Sequence, residues 1–330
     1  MTHLKFSNKF DFQEDFLKED FASRFSKNSP VVIKMHFGEP GNPNAFTKED
    51  VKPLLKILTD LGLETLLVDT PVTYHSPRDS KIGYEKVVVK HGFDQLSKFL
   101  IEDEYVVQKV GGLDFEVAKV LAESKNLIVL SHVKGHECAG FGGAIKNLGM
   151  GALSAKSKSF IHDSAKPVLE ENLCVGCGTC ANLCPAKAIE IKNGKMTVDY
   201  DKCYGCSICQ IQCPHLALKP KLKIFDEALA MGAMSAVKLM PKNTFYINVI
   251  KKVVQFCDCS NCDSPKLAED VGVLYGDNPV AIDQASIDLI KKSAGNDVFK
   301  IANHKDPYLQ IAYASQYSGL SREYDSTEVS

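Results

Sequence analysis

The cysteines are the residues of this chain whose type and spacing point most directly to chemistry. Eleven of the 12 fall into three tight groups, and two groups repeat the motif Cys-x-x-Cys-x-x-Cys-x-x-x-Cys-Pro, over residues 174–185 and 203–214. Three thiolates at two-residue gaps can hold one 4Fe–4S cluster, while the fourth cysteine of such a run binds the other cluster. The motifs therefore predict two clusters with crossed ligands: Cys174, Cys177, Cys180 and Cys213 for cluster one, and Cys203, Cys206, Cys209 and Cys184 for cluster two.

Structural zinc sites are the alternative for these motifs, because Cys-x-x-Cys pairs often bind zinc. A zinc ribbon uses two such pairs per metal, whereas here a triple run that ends in Cys-Pro occurs twice, which favours clusters. Residues 171–219 resemble bacterial two-cluster ferredoxins, and all eight ligand positions are filled. The resemblance implies electron transfer with a redox partner protein. Five lysines against four acids in this segment indicate a module that serves its own body or an acidic donor.

The third group, Cys257, Cys259 and Cys262, places three thiols within six residues. Three sulfurs can bind one metal ion or cluster, but a further ligand must then come from elsewhere in the chain. We predict a third metal or cluster site here, with reduced thiols that bind no metal as the alternative. The candidates for the fourth ligand are Cys138, His132, His136, Asp258 and Asp263.

A candidate catalytic site follows the most apolar predicted strand, residues 127–130. Ligands of open α/β sheets bind at the carboxyl ends of the strands. The candidate catalytic residues there are His132, His136 and Lys146, beside a glycine-rich turn. The turn is not a dinucleotide fingerprint, because Ile145 takes the place of the third glycine. A tight turn with surface histidines is the alternative.

An α/β body must position these groups. Short apolar runs alternate with helical stretches, and strands without polar alternation predict a mostly parallel sheet flanked by helices. The predicted strands are residues 31–37, 65–69, 105–110, 127–130, 245–250 and 271–275. The predicted helices are residues 48–61, 115–124, 228–240 and 281–293. We expect Asp277 to cap the last helix and Asp283 to lie on its solvated face.

The cysteine-rich segment interrupts this pattern and predicts three parts. Residues 1–165 form the first part of the α/β body, residues 166–220 a ferredoxin-like α+β insert with two 4Fe–4S clusters, and residues 221–330 the second part of the body. A separate C-terminal domain after residue 220 is the alternative.

Several stretches together resemble one protein family. They are residues 140–151 (GFGGAIKNLGMG), the double Cys-Pro motif, the triplet at 257–259 and residues 276–286 (GDNPVAIDQAS). The chain is similar over nearly its full length to the uncharacterised Fe–S centre proteins of domain of unknown function 362, with an inserted ferredoxin module. The resemblance implies a shared α/β body and no established reaction. The glycine- and lysine-containing stretch is also distantly similar to lactate racemases with a nickel pincer cofactor, and no residue roles are carried over from them.

Composition and charge exclude several classes of protein. A net charge of −2 offers no electrostatic footprint for nucleic acid. No stretch reaches the roughly 18 apolar residues of a membrane helix, and the N-terminus lacks the apolar core of a signal peptide, so we expect a cytoplasmic protein.

Three functions remain open at this point. The first is an iron–sulfur redox protein whose two clusters relay single electrons to or from a site in the α/β body. The second is a ferredoxin-linked oxidoreductase that acts on a small-molecule substrate near residues 257–262. The third is a cluster or metal carrier for the maturation of a partner protein. Whether the protein is an enzyme is not decided by the sequence.

Overall fold

The structure is a computed structural model that describes residues 1–329. Its strands are β1 (Thr2–Ser7), β2 (Val31–Lys34), β3 (Thr65–Asp69), β4 (Lys98–Ile101), β5 (Tyr105–Val110), β6 (Leu113–Ala118), β7 (Asn126–His132), β8 (Lys134–His136), β9 (Gly140–Gly142), β10 (Pro167–Leu169), β11 (Ile189–Lys192), β12 (Lys195–Val198), β13 (Leu218–Pro220), β14 (Phe245–Ile250), β15 (Gly272–Gly276) and β16 (Tyr324–Glu328). Its α-helices are α1 (Glu14–Arg24), α2 (Lys48–Asp60), α3 (Lys81–Lys90), α4 (Lys119–Glu123), α5 (Ala144–Gly151), α6 (Ala155–Ser164), α7 (Thr179–Asn182), α8 (Ile208–Ile211), α9 (Phe225–Leu239), α10 (Pro279–Ala294), α11 (Val298–Asn303) and α12 (Leu309–Ser318).

Eight strands form the main sheet, in the order β16-β1-β15-β14-β7-β2-β3-β4. The five strands from β14 to β4 are mutually parallel, β15 runs antiparallel to both β14 and β1, and β16 pairs parallel with β1. The predicted α/β class with a mostly parallel sheet and flanking helices is therefore confirmed.

The central strands are mostly apolar because both faces of the sheet are covered. In β2, Val32 packs in one hydrophobic core while Ile33 packs in the core on the other face. In β7, Val129 and Ile128 divide in the same way. Strands that are buried on both faces form nearly continuous hydrophobic runs in the sequence, which is why these strands could be predicted.

Helix α9 lies inside one of these cores. Eleven of its 15 residues are buried, so it is more enclosed than the amphipathic helix predicted for residues 228–240. It packs closely on α5: a Cβ added at Gly149 would lie 2.5 Å from the backbone oxygen of Leu229. Because Gly149 has no Cβ, α5 and α9 can pack closely against each other.

In the first third of the chain, one sequence prediction is wrong and another is right about a strand but not about its place in the main sheet. The helix predicted for residues 115–124 begins only at Lys119, because residues 113–118 form β6. Phe115 and Val117 alternate with polar residues and are buried, which is the pattern of a strand with one covered face. The predicted strand at 105–110 exists as β5 but pairs with β6 in a hairpin outside the main sheet.

Residues 167–220 contribute no strand to the main sheet. Their strands pair among themselves, β10 with β13 and β11 with β12. A small separate cluster of side chains fills the space between them: Cys180, Ile189, Met196, Cys209 and Leu218. Within residues 1–329, no helix has the length and apolar character needed to span a membrane.

Candidate functional site

Two hollows in residues 167–220 are each lined by four cysteines. The first has Cys174, Cys177, Cys180 and Cys213 in its wall. The second has Cys184, Cys203, Cys206 and Cys209. Each set combines three cysteines of one run with the fourth cysteine of the other run, which is the crossed arrangement that the motif spacing predicts.

The backbone repeats itself around the two hollows at an offset of 29 residues. Gly176 and Gly205 both have positive φ, at 69° and 64°. The same holds for the residues before the short helices, Gly178 and Ser207, at 80° and 65°. A positive φ costs most residues energy and bends the chain tightly. The two cysteine runs therefore form two copies of one loop.

Backbone amides point at several of these sulfurs. The N–H of Ala188 donates to Cys184 Sγ at 3.3 Å, and that of Ala217 donates to Cys213 Sγ at 3.4 Å, again at an offset of 29 residues. Amide donors stabilise negative charge on sulfur. Burial raises the pKa of Cys206 to about 11, and a bound cation would favour the thiolate form of this sulfur.

The spacing of the sulfurs fits clusters better than zinc. Four sulfurs on one zinc ion, each about 2.3 Å from the metal, lie about 3.8 Å apart. In residues 1–329, no three of the eight sulfurs lie within 4.8 Å of one another. No Asp, Glu, Lys or Arg side chain lines either hollow. Wide sets of four thiols between uncharged walls suit a cubane, in which each sulfur binds a different iron.

The second cysteine loop is packed against the α/β body. His162 of α6 has its Nδ1 2.7 Å from the carbonyl oxygen of Tyr204. Lys305 is fully buried and donates from Nζ to the carbonyl oxygens of Cys206, at 2.8 Å, and of Cys138. Its charge is balanced by Asp226, 2.7 Å away. One lysine therefore joins the second cysteine loop to the segment that follows β8.

The other candidate residues gather at the carboxyl ends of β7 and β14. His132 has an almost fully buried side chain that stacks on Phe46 at 4.0 Å. Its Nδ1 lies 2.9 Å from Asp258 Oδ2 and its Nε2 lies 2.8 Å from the carbonyl oxygen of Lys251. Both ring nitrogens face acceptors, so His132 holds the loop of Asp258 in place.

His136 is held in a defined protonation state. Its Nδ1 accepts the backbone N–H groups of Cys138 and Ala139, both at 3.1 Å. Burial lowers the pKa of His136 well below its usual value, so the ring is neutral and its proton lies on Nε2. A ring nitrogen of His136 and the sulfurs of Cys257 and Cys259 lie within 4.8 Å of one another.

Cys257 and Cys259 are joined by a disulfide bond. Lys146 Nζ lies 3.7 Å from Cys257 Sγ, and burial lowers the pKa of Lys146 to about 8. The structure does not bring the other two predicted cysteines into this group. Cys262 is exposed, with its sulfur 3.0 Å from Ser260 Oγ, and Cys138 is buried beside Lys305.

Sequence reasoning missed a set of buried charges beside this group. Arg78 is completely buried and pairs with Glu39 at 2.5 Å, and Lys34 pairs with Asp69 at 3.0 Å. The positions of Lys34 and Asp69 at the ends of two apolar strands were the available signal. Arg78 lies in a loop and carried no such signal.

Asp283 differs from its prediction as a solvated helix residue. It is fully buried, and its carboxylate accepts the backbone N–H groups of Ala144 and Ile145 at 2.7 and 2.9 Å. These are the first two residues of α5, so Asp283 caps the helix that carries Lys146. Asp277, which was predicted as a cap, pairs with Arg24, and Asn278 caps α10.

One protein-family model, described as "Domain of unknown function (DUF362)", matches residues 31–288. None of the curated proteins matches the chain. Among solved structures, a protein from Thermotoga maritima is similar, with 12% identity and a TM-score of 0.44, over 93% of this chain and 59% of that one. The lactate racemase apoprotein from Thermoanaerobacterium thermosaccharolyticum has 14% identity and a TM-score of 0.37, over 76% of this chain and 51% of that one. The chain thus spans little more than half the length of these two proteins.

Proposed function

Because the chain belongs to the DUF362 family, whose name assigns no reaction, we propose a function from its own residues: an iron–sulfur redox protein with two 4Fe–4S clusters. The clusters relay single electrons to or from the site around Cys257 at the carboxyl edge of the main sheet. Residues 166–220 are the ferredoxin-type insert, between the two parts of the α/β body at 1–165 and 221–330. A redox partner protein supplies or accepts the electrons.

The observation that carries this proposal is the pair of hollows, each with a crossed set of four cysteines in its wall. Cys174, Cys177, Cys180 and Cys213 would hold cluster one, and Cys203, Cys206, Cys209 and Cys184 would hold cluster two. When bound, each cluster supplies one-electron chemistry. The protein contributes the thiolates, the amides that stabilise their charge, and walls free of competing charged side chains.

The contacts between the insert and the body support the site around Cys257 as the place where electrons are delivered or taken up. Lys305 binds the backbone of both Cys206 and Cys138. Two residues before Cys138, the ring of His136 lies beside the sulfurs of Cys257 and Cys259. A short run of packed residues therefore connects the loop of cluster two with the sheet-edge site.

Iron counting with paired substitutions tests the crossed ligand sets. Anaerobically purified protein should contain about eight irons and eight sulfides per chain and give two interacting signals by EPR after dithionite reduction. Cys174→Ala and Cys213→Ala each remove a ligand of cluster one, so the double variant should retain about four irons, like either single variant. Cys174→Ala with Cys184→Ala should lose both clusters.

Cys262→Ala is the matched control, because Cys262 is exposed and lines neither hollow. It should retain about eight irons. Two zinc ions and no iron per chain would overturn the proposal. Loss of all iron from Cys174→Ala with Cys213→Ala, beside half loss in the single variants, would overturn the crossed assignment.

A ferredoxin-linked oxidoreductase that acts on a small molecule is the second candidate function. The observation that favours it is the partial exposure of Lys146, His136 and Cys259 at the carboxyl edge of the sheet, where substrates of α/β proteins bind. A substrate would then receive electrons from the same site. Oxidation of the reduced protein by a small molecule, but not by a partner protein, would favour this function.

A further inference from the structure

The loop that carries Cys257 and Cys259 is held by hydrogen bonds and ion pairs to other segments of the chain. Asp258, between the two cysteines, has its carboxylate near His132 and Lys134, and it accepts the backbone N–H of Phe46 at 3.2 Å. Asn42 donates from its side chain to the carbonyl oxygens of Cys257 and Ser260, at 3.1 and 2.8 Å. The two sulfurs are therefore held in place by the residue between them and by the loop that follows β2.

The groups around the sulfurs suit thiol chemistry. The ammonium of Lys146 lies 3.7 Å from Cys257 Sγ, and the backbone N–H of Cys259 donates to the same sulfur at 3.2 Å. Both groups stabilise a thiolate. Cys259 is partly exposed while Cys257 is buried, so one sulfur can be reached from solvent and the other is shielded.

A metal ion fits the same residues less well. A histidine that binds a metal usually donates its other ring N–H to an acceptor. In His136 the Nδ1 atom instead accepts two backbone N–H groups, which leaves the proton on Nε2. In residues 1–329, no fourth His, Cys, Asp or Glu has a ligand atom within 4.8 Å of those of His136, Cys257 and Cys259. The geometry therefore favours an imidazole that donates a hydrogen bond from Nε2 over one that binds a metal.

We infer that Cys257 and Cys259 form a redox-active dithiol/disulfide pair, which takes up two electrons through the two clusters. The inference rests on the proposed function, because the clusters must deliver the electrons one at a time from the partner protein. In the oxidised chain one S–S bond joins the residues. Two electrons and two protons break that bond and form two S–H groups, with the ammonium of Lys146 placed beside Cys257 Sγ to pass protons from solvent. The reverse step returns two electrons and two protons.

Electron counting on the full chain with its clusters tests the inference. An anaerobic reductive titration, followed by visible absorption, should consume about four electrons per chain: about one for each cluster and two for the disulfide. Alkylation with iodoacetamide in acid-quenched, unfolded samples, read by mass spectrometry, should label Cys257 and Cys259 only after reduction. Cys259→Ser should retain its iron and consume about two electrons.

Cys262→Ser is the control in the same loop and should still consume about four electrons. Full iron content with uptake of only about two electrons, or with residues 257 and 259 already labelled before reduction, would overturn this inference and leave the proposed function intact. One additional metal ion per chain that disappears in Cys259→Ser would also overturn it in favour of a metal site. Folded protein that contains no 4Fe–4S clusters after anaerobic purification would overturn both proposals.

Discussion

At the residue scale, the reactivity of Cys257 depends on the ammonium of Lys146 beside it. Lys146 Nζ lies 3.7 Å from the sulfur, and burial lowers the pKa of this amine to about 8. At pH 7 the amine is still mostly protonated, and its charge favours the thiolate. We expect Lys146→Met to slow iodoacetamide alkylation of reduced Cys257 about tenfold at pH 7, since the thiol pKa should rise by about one unit. Peptide mass spectrometry measures the rate.

The matched control for this prediction is Lys156→Met. Lys156 is exposed and pairs with Glu116 at 2.7 Å, away from the sulfurs. Its replacement should leave the alkylation rate of Cys257 unchanged. Equal rates in the Lys146→Met variant and the parent protein would show that the ammonium does not act on this sulfur.

Asp283 gives the protein a pH-dependent stability. Burial raises its pKa to about 6, above the value of about 4 in an unfolded chain. The folded state therefore binds this proton more tightly, and the stabilisation that it provides below pH 4 is lost as the pH rises from about 4 to 6. We expect a loss of up to about 3 kcal/mol in the free energy of unfolding, at about 1.4 kcal/mol per pKa unit. Asp283→Asn should remove most of this slope.

Urea unfolding at several pH values between 4 and 7 measures this slope. Asp277→Asn is the control, because Asp277 is exposed and pairs only at the surface with Arg24. It should keep the slope of the parent protein. An unchanged slope in Asp283→Asn would mean that another group is responsible.

At the scale of elements, the join between the second cysteine loop and α6 depends on Gly205. Its φ is 64°, and an added Cβ would clash with the backbone oxygen of His162, which cannot rotate away. We expect Gly205→Ala to displace the loop and to reduce the iron content from about eight to about four per chain, because Cys206 is its neighbour. Iron and sulfide analysis of anaerobic protein measures this.

Gly178→Ala is the control that separates the effect of the steric clash at residue 205 from the effect of the unfavourable φ. Gly178 also has a positive φ, 80°, but an added Cβ would meet nothing within 4 Å. Both variants incur about 1–2 kcal/mol for the unfavourable φ, and only Gly205→Ala meets the backbone of α6. Similar iron contents in the two variants would show that packing against α6 is not needed to hold cluster two.

The elements that the sequence predicted are those with an unambiguous burial pattern. The strands at 65–69 and 245–250 match β3 and β14, because strands covered on both faces are mostly apolar. β1 and β16 were missed: β16 is the edge strand, β1 is its neighbour, and both carry mixed, partly exposed residues. Short runs such as residues 113–118 fit a helix or a strand until their pairing partner is known.

The candidate site was predictable where spacing along the chain sets the chemistry. The crossed cysteine sets depend on short local gaps, and the two hollows have the walls that these gaps predict. The neighbours of Cys257 come from distant segments: His136 and Lys146 lie more than 100 residues earlier. No local pattern indicates that they meet, or that Asp258 is the buried anchor between the two cysteines.

At the scale of the whole molecule, the buried pair of Lys305 and Asp226 connects the insert to the body. Both residues are fully buried, with Lys305 Nζ 2.7 Å from Asp226 Oδ2. Removal of one partner leaves an unpaired buried charge, so Lys305→Met should reduce the free energy of unfolding by about 3–5 kcal/mol. The double variant Asp226→Leu with Lys305→Met should recover most of that loss. Anaerobic urea unfolding measures both.

The double variant also separates stability from electron transfer. It should fold with about eight irons but lack the contact that joins Cys206 and Cys138. We expect slower reduction of the Cys257–Cys259 disulfide in rapid-quench alkylation experiments. Reduction at the parent rate would show that electrons reach the disulfide without this contact.

The pairing of β10 with β13 places Pro167 opposite Pro220, so the chain enters and leaves the cysteine-rich segment at one point. For the rest of the chain this segment is a loop whose ends already meet. The entropy of closing a loop changes slowly with its effective length, by only about 0.6 kcal/mol per doubling. The main sheet should therefore assemble whether or not the segment is ordered. A chain without bound iron would then keep its main sheet.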